Sequence, residues 1–291
     1  MLTKNNNFSF PNLLNNIINL VSSYIDVIGR HGDIYVFFDG IRVSKKELHL
    51  DYKGNRKKKP IFNLDNSIYF KNNIYGNERE FLIECLKKIG IKVFRKEEYE
   101  ADDLIYHYCR NNESNIKIII SDDKDFFPLL EDNKIIIYRP SQKEFVDADR
   151  SIEIWKNLYK IDYDILPKHV KMFKALCGDA SDNIKGIHRI QKSALQKYVG
   201  SNDLESLEKL CKDNDGDRTA NLILNNLELL HKNIALLTPS LIQNFDDCLE
   251  ISDLDIIFVR EYLELQNITI NLGKFVKELP MSVLPDWYKD L

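Results

Sequence analysis

The chain lacks paired cysteines, long apolar runs and a large excess of charge, and each absence excludes a class of protein. None of its five cysteines belongs to a Cys-x-x-Cys pair. We therefore expect neither a disulfide framework nor a structural zinc site, and a reducing cytoplasm fits best. No apolar run reaches the roughly 18 residues of a membrane-spanning helix. The N-terminal stretch also has no apolar segment with a small-residue cleavage site, so it does not read as a signal peptide.

Composition fits a soluble globular protein with one large domain or two modest ones. The 291 residues are 44% hydrophobic and 30% charged, which is enough to build a sizeable core. The net charge of −4 gives no bulk attraction to nucleic acid. The charge is uneven, however, because residues 42–59 hold eight Lys or Arg against only Glu47 and Asp51.

Apolar periodicity predicts an α/β half followed by a helical half. Predicted helices cover 12–28, 77–89 and 99–111, and predicted strands cover 33–38, 91–95, 116–121 and 134–138. Alternating strands and helices are typical of a parallel sheet with helical crossovers. From about residue 151 almost every segment reads as helical, including 191–200 and 218–237. We predict an α/β domain over 1–150 and a helical domain over 151–291.

Acidic residues follow three of the predicted strands. Asp39 ends one strand, Glu100, Asp102 and Asp103 open the helix after another, and Asp123 and Asp125 follow a third. Ligands of open α/β sheets bind beyond the carboxyl ends of the strands. Clustered carboxylates repel one another unless cations bind there, and oxygen ligands without Cys or His favour Mg²⁺ or Mn²⁺. The spacing alone therefore predicts a metal site.

Each of these features also has an ordinary structural explanation. Acidic residues are common in the first turn of a helix, where they suit its dipole. The Asp122–Asp125 stretch is also typical of a turn, and residues 41–60 are also typical of a solvated basic loop. A basic segment beside a carboxylate cluster nevertheless suits a polyanionic substrate.

Four motifs in register resemble the 5′-nuclease family. They are YKGNR (52–56), YEADD (99–103), IIISDDKDF (118–126) and GDASDNIKGI (178–187). The family includes bacteriophage 5′-exonucleases, the 5′-nuclease domain of bacterial DNA polymerase I and eukaryotic flap endonucleases. The resemblance covers roughly residues 30–200.

The resemblance implies a PIN-like α/β domain with a helical arch, then a helical domain with a helix-three-turn-helix element near 168–200. It assigns the metal site, which would hold two Mg²⁺ ions or Mn²⁺ in their place, to Asp39, Glu100, Asp102, Asp103, Asp123, Asp125, Asp179 and Asp182. Lys53 and Arg56 match residues that contact the scissile phosphate, which gives them a catalytic role. Further predicted DNA contacts are Tyr52, Lys57, Lys58, Lys185, Arg189 and Lys192.

The sequence departs from the family pattern in three places. Family members begin with a strand that carries a metal-binding Asp, whereas no acidic residue here precedes Asp26. We therefore expect an N-terminally incomplete or catalytically impaired chain. Arg189 and Gln191 stand where the family usually has two hairpin glycines, and Asp122 stands where a small neutral residue is more usual.

These observations predict a structure-specific 5′–3′ exonuclease or 5′-flap endonuclease acting in replication or repair by two-metal catalysis. The expected substrates are DNA with a 5′ flap or 5′ end and RNA–DNA hybrids. A single-strand-binding protein or sliding clamp is an expected partner. We expect a monomer in the cytoplasm of a bacterial or phage-infected cell, without membrane contact. The alternatives are a catalytically dead DNA-junction binder and, less favoured, a PIN-type ribonuclease.

Overall fold

The structure is a computed structural model that describes residues 18–20, 22–24, 33–40, 82–112 and 116–265. The predicted basic arch, with Tyr52, Lys53, Arg56, Lys57 and Lys58, lies outside the described residues. The described chain forms two compact units. The first contains 18–20, 22–24, 33–39, 82–96 and 244–265, and the second contains 40, 97–112 and 116–243. The domain boundary predicted near residue 150 stays a prediction.

The strands are β1 (Tyr35–Phe38), β2 (Lys92–Arg95), β3 (Lys117–Ile120), β4 (Ile135–Arg139), β5 (Glu144–Val146), β6 (Gly178–Asp179), β7 (Ile184–Lys185) and β8 (Leu249–Glu250). The helices are α1 (82–88), α2 (Ala101–Asn111), α3 (Ala148–Tyr159), α4 (Val170–Cys177), α5 (Leu204–Lys212), α6 (Arg218–Leu224), α7 (Leu227–Leu237) and α8 (Ile256–Leu265). Residues 18–20 and 22–24 are also helical. Short 3₁₀ helices cover Lys124–Glu131, Pro167–His169, Lys192–Leu195 and Phe245–Cys248.

The first unit is built on a three-stranded sheet in the order β1-β2-β8. β1 and β2 run parallel, with Val36 opposite Val93, and β8 is antiparallel to β2. Gly90, with φ of +88°, ends the turn between α1 and β2, because glycine adopts this conformation without a Cβ clash. Arg95 and Lys87 both pair with Glu250, which fixes β8 against the sheet.

The second unit contains the sheet β3-β4-β5 and the helices from α2 to α7. β3 and β4 are parallel, with Ile118 opposite Ile136, and β5 returns antiparallel to β4. Aromatic side chains fill its core: Trp155 lies 6.1 Å from Phe127 in an edge contact and 5.2 Å from Tyr159 in a stacked one. Burying each large apolar side chain contributes about 1.5–3 kcal/mol, so this core holds α3 and α4 against the sheet.

Most predicted elements are confirmed, and the clearest error is the helix predicted over 191–200. There the chain forms only the 3₁₀ turn Lys192–Leu195 followed by further turns. Its amides bond three or four residues back, as Tyr198 and Val199 both do to Leu195 O. So short a segment gains little from helix propagation, and buried Leu195, Tyr198 and Val199 can pack without a full helix. The long helix predicted over 218–237 is also divided, between α6 and α7.

The cysteines and the helices bear on two classes of protein that the sequence excludes, disulfide-linked and membrane-spanning ones. All five cysteines lie in the described ranges and are free thiols, as predicted. Within the residues that the structure describes, every helix is too short or too polar to span a lipid bilayer.

Candidate functional site

The turn after β3 brings two of the predicted acids to the start of a 3₁₀ helix. Asp123 is the N-cap of Lys124–Glu131, and its Oδ1 accepts a hydrogen bond from the Asp125 amide at 2.9 Å. This is the usual function of an Asp that precedes a helical turn. Tyr106 on α2 donates its hydroxyl to the Asp125 carbonyl at 2.5 Å. Asp125 is thus positioned by the turn before it and by the helix beside it.

A tight hairpin at the end of α4 carries two more of the predicted acids, Asp179 and Asp182. β6 and β7 pair Gly178 with Lys185 and Asp179 with Ile184, and Asp182 lies in the turn between them. Gly178 ends α4 with φ of +81°, and a Cβ there would lie 2.3 Å from the Gly186 amide nitrogen. A Cβ on Gly186 would in turn lie 2.1 Å from the Cys177 carbonyl. Only a pair of glycines permits so close a crossing.

Gly178→Ala is therefore expected to displace the hairpin and to lower the free energy of unfolding by about 1–3 kcal/mol, the usual range for overpacking. Gly216→Ala is the matched control, since Gly216 also has a positive φ of +91° but no atom within 4 Å of the added Cβ. Urea unfolding of both variants separates the clash from the backbone strain. Equal losses in the two variants would contradict the proposed close crossing.

These two segments converge to form an acidic cluster. Asp125, Asp179 and Asp182 each offer a carboxylate oxygen, and the three oxygens lie within 4.8 Å of one another. Asp179 and Asp182 are buried, and Asp125 is half-buried. A cleft beside the cluster is lined by acids at the start of α2, by two acids of the cluster and by two lysines of α4, namely Glu100, Asp102 and Asp103, then Asp125 and Asp182, then Lys171 and Lys174.

Lys174 lies inside the cluster, although the sequence analysis did not single it out. Its Nζ donates to Asp125 Oδ1 and, at 2.6 Å, to Asp179 Oδ2. Burial acts to lower the pKa of Lys174, but the two carboxylates outweigh it and raise the pKa above the ordinary lysine value. Lys174 therefore stays a cation.

The pKa values of the two carboxylates that bond to Lys174 shift in opposite directions. Burial raises the pKa of Asp125, with Lys174 opposing it and with Asp123 and Asp179 adding repulsion. Burial also acts to raise the pKa of Asp179, but the hydrogen bonds and charge of Lys174 and the Ser181 contacts lower it overall. Asp179 has more hydrogen-bond donors, since its Oδ1 also accepts from the Ser181 amide at 2.8 Å and from the Ser181 hydroxyl.

The acids at the start of α2 reach the same cleft, but one of them has a clear structural task. Asp103 is almost fully buried at 1% exposure. Its Oδ1 accepts from the Ser240 amide at 2.8 Å, and its Oδ2 accepts from the Glu100 amide at 3.4 Å. Both oxygens thus bind backbone amides, one at the helix N-terminus and one in the segment after α7. Glu100 and Asp102 line the cleft beside it, and metal binding by all three stays a prediction.

Two further acids are not members of the acidic cluster. Asp39 is exposed and belongs to the first unit, so its predicted role as a ligand stays a prediction. Asp122 accepts hydrogen bonds from the Ser141 amide at 3.1 Å and from the Ser141 hydroxyl at 2.6 Å. Asp122 therefore connects the turn after β3 to the turn after β4. This agrees with the sequence pattern of residues 122–125, which is also typical of a turn.

The predicted DNA-binding residues of the helical half are exposed and lie close together in sequence. Lys185 ends β7, Arg189 follows in a turn, and Lys192 begins a 3₁₀ helix. Arg189 has φ of +63°, a conformation that favours glycine, whereas Gln191 has φ of −95°. Of the two positions where the family usually has glycine, only position 189 requires the left-handed backbone. Lys192 Nζ also lies 4.5 Å from the centre of the Tyr159 ring.

Sequence reasoning missed two buried residues that organise the hairpin. Asn233 on α7 is 2% exposed, and its Nδ2 donates to the carbonyls of Ala175 and Lys185 at 2.8 Å each. Lys174 was the other. In both cases the available signal was a lone polar residue on the otherwise apolar face of a helix, which usually marks a satisfied polar contact.

Relatives with known names cover most of this chain. DNA polymerase I of Caldicellulosiruptor bescii is 29% identical over 223 residues, which are 74% of this chain and 23% of that polymerase. The 5′-3′ exonuclease of Aquifex aeolicus is 28% identical over 260 residues, which are 86% of this chain and 76% of that protein. The chain thus spans less than a quarter of the polymerase but most of the exonuclease.

A solved structure and a family profile agree with these relatives. The D15 protein of bacteriophage T5, crystallised with metal ions, matches with a TM-score of 0.56 at 17% identity, over 91% of each chain. That likeness confirms the fold, which is α/β with parallel strands followed by helices. The profile of the family described as 5′-3′ exonuclease, N-terminal resolvase-like domain, matches residues 5–156, more than half of the chain. The motifs, the fold and this match together show that the chain belongs to the 5′-3′ exonuclease family.

Proposed function

We propose that this chain is a divalent-metal-dependent 5′ nuclease that hydrolyses phosphodiester bonds of DNA at 5′ ends and 5′ flaps. The observation that carries the proposal is the convergence of Asp125, Asp179 and Asp182 from two separate segments. The acids of α2 line the adjoining cleft. Family membership supports the same activity, since the Aquifex aeolicus relative is named a 5′-3′ exonuclease.

The donor set fits a hard divalent cation. All ligands in the cluster are carboxylate oxygens, which suit Mg²⁺ and Mn²⁺ better than softer ions. Opposite ligands of an octahedral Mg²⁺ ion stand about 4.2 Å apart, given Mg–O distances of roughly 2.1 Å. The 4.8 Å limit of the cluster is only slightly wider, so small side-chain movements suffice. Divalent ions bound at such a site activate water and stabilise the leaving oxygen of a phosphodiester.

The protein side chains would position the DNA. Lys185 at the end of the hairpin, and Arg189 and Lys192 in the segment that follows it, are exposed cations close in sequence to the buried Asp179 and Asp182. Cations placed there bind backbone phosphate without regard to sequence, which suits a structure-specific enzyme. The predicted contacts of Lys53 and Arg56 with the scissile phosphate, and of Tyr52, Lys57 and Lys58 with DNA, complete the proposal.

Arg189→Gly tests the phosphate contact without stressing the backbone. Glycine accepts the left-handed conformation of position 189, so the free energy of unfolding is expected to change by less than about 1 kcal/mol. Affinity for flap DNA is expected to fall, and the slope of log K against log salt should decrease by about 0.9. Arg189→Lys keeps the charge and serves as the control. An unchanged salt slope for Arg189→Gly would remove Arg189 from the interface.

Incubation of a labelled 5′-flap DNA with the chain, in Mg²⁺ or in EDTA, tests the function itself. The proposal predicts a short 5′ product only when Mg²⁺ is present. Flap binding without cleavage in Mg²⁺ and in Mn²⁺ would indicate a catalytically dead junction binder. Cleavage of RNA that does not depend on a DNA 5′ end would indicate a PIN-type ribonuclease. The monomeric state, the cytoplasmic location, and the clamp or single-strand-binding partner stay predictions.

A further inference from the structure

A buried tyrosine in the loop after α3 holds the segment that follows the hairpin. Tyr163 is 4% exposed, and its hydroxyl donates a hydrogen bond to the Lys192 carbonyl at 2.6 Å. Lys192 begins the 3₁₀ helix Lys192–Leu195 and follows Tyr163 by 29 residues. A buried polar group that lost its partner would be unfavourable. The bond therefore fixes the backbone of Lys192 against the helical core.

The side chain of Lys192 lies against a second tyrosine. Its Nζ is 4.5 Å from the centre of the Tyr159 ring, which is within the range of a cation–π contact. The ring is itself held by packing, because it stacks on Trp155 with ring centres 5.2 Å apart and meets Phe173 edge-on at 4.8 Å. Both of these partners are buried. The exposed Lys192 thus has its ammonium beside a ring that packing keeps in place.

The other end of the basic segment is also bonded to the helical core. Asn233 on α7 donates to the Lys185 carbonyl at 2.8 Å, and the Ile187 amide donates to a carbonyl of α4 at 2.9 Å. The backbone of residues 185–192 is therefore held at both ends, whereas its cationic side chains are exposed. Cations that are ordered before binding lose less conformational entropy when a phosphate immobilises them.

We propose that Tyr163 and Tyr159 are positioning residues of the DNA interface, which hold the backbone and the ammonium of Lys192 ready for a backbone phosphate. Tyr163 is buried and therefore acts through Lys192 rather than on DNA itself. The inference rests on the proposed function, because it takes Lys192 to contact DNA. It adds two uncharged residues to that function, and both lie outside the four sequence motifs.

A double-mutant cycle on DNA affinity tests the role of Tyr163. Binding of labelled 5′-flap DNA is followed by fluorescence anisotropy in EDTA, so that metal-dependent cleavage does not interfere. Tyr163→Phe removes only the hydroxyl, and its affinity for DNA is expected to fall roughly 3- to 10-fold, the effect of returning freedom to one long side chain. The same replacement in a Lys192→Gln background is expected to leave the affinity equal to that of Lys192→Gln alone.

Tyr198→Phe is the matched control for the loss of a buried hydroxyl. Tyr198 is 1% exposed and lies in the turn after the same 3₁₀ helix. Its replacement is expected to leave the DNA affinity of the unmodified chain unchanged. A Tyr163→Phe variant that binds as tightly as Tyr198→Phe overturns the inference. An equal loss in both Lys192 backgrounds also overturns it, because Tyr163 would then act on the fold and not through Lys192.

Nuclear magnetic resonance of the lysine ε-methylene groups tests the contact with Tyr159 on the unmodified chain, without DNA. The ring current of Tyr159 is expected to shift the Lys192 signal upfield of the ordinary lysine position, and Lys192→Gln identifies the signal by its absence. Tyr163→Phe is expected to move the signal back toward the ordinary position. A Lys192 signal at the ordinary position in the unmodified chain would overturn the inference.

Failure of the proposed function gives a different result from failure of the inference. A chain that binds flap DNA with the expected cycle but does not cleave it in Mg²⁺ rejects the nuclease activity and supports the inference. A chain that cleaves flap DNA, but whose affinity is unaffected by Tyr163→Phe, rejects the inference alone. An unmodified chain that does not bind DNA overturns both.

Discussion

Asp125→Asn is expected to lower the single-turnover rate of flap cleavage by roughly 10³-fold, equivalent to about 4 kcal/mol of transition-state stabilisation. Asp125 is the residue on which the cluster depends, because it contacts Lys174 and contributes an oxygen to the group with Asp179 and Asp182. Asn keeps the shape of the side chain but loses the negative charge that attracts a divalent cation. Binding of flap DNA should change little, since Lys185, Arg189 and Lys192 are untouched.

The control for this prediction is the neighbouring Asp122→Asn. Asp122 belongs to the same motif, but its carboxylate binds Ser141 in a turn. Its replacement is expected to leave the cleavage rate within a few-fold of the unmodified chain. Circular dichroism should first confirm that both variants are folded. A folded Asp125→Asn variant that cleaves as fast as Asp122→Asn would exclude the cluster as the catalytic centre.

Asn233→Ala is expected to have the largest effect on stability, roughly 2–5 kcal/mol in the free energy of unfolding. The amide of Asn233 satisfies the Ala175 carbonyl of α4 and the Lys185 carbonyl of β7. Its removal leaves two carbonyls without this donor and leaves a cavity at the base of the hairpin. Because the hairpin carries Asp179 and Asp182, affinity for Mn²⁺ should fall in the same variant.

Asn221→Ala is the matched control, because Asn221 is an exposed residue of α6. Its replacement should change the free energy of unfolding by no more than about 0.5 kcal/mol. Urea unfolding measures both variants, and Mn²⁺ titration below the unfolding transition measures the metal affinity. A loss of stability in Asn233→Ala without any loss of Mn²⁺ affinity would show that Asn233 does not help to position the metal site.

Much of the fold could be predicted from the sequence because local patterns determine it. The isoleucine run of β3 and the periodicity of α2 each identify one element type, and their order predicts the parallel pairing with β4. The segment 191–200 was predicted wrongly because its apolar spacing suits a helix and a series of turns equally well. Only tertiary packing around Leu195 and Tyr198 decides between the two.

The candidate site was predicted less completely than the fold. Acids at the ends of strands are visible in the sequence, so Asp125 could be named from its position, whereas Asp179 and Asp182 were named from the resemblance of the GDASDN motif to the family. Lys174 and Asn233 were missed, because a lone polar residue on an apolar helix face indicates a polar contact without revealing which groups it contacts. The hydrogen bonds of Asp103 to the Ser240 amide and of Asp122 to the Ser141 amide could not be predicted either, because both join segments that are distant in sequence.

The position of a bound divalent ion tests the central claim most directly. Crystals of the chain soaked in Mn²⁺ locate the ion by its anomalous scattering. We expect an ion bound at the cluster of Asp125, Asp179 and Asp182. Crystals that show no ion at this cluster, or an ion bound only elsewhere, would contradict this expectation.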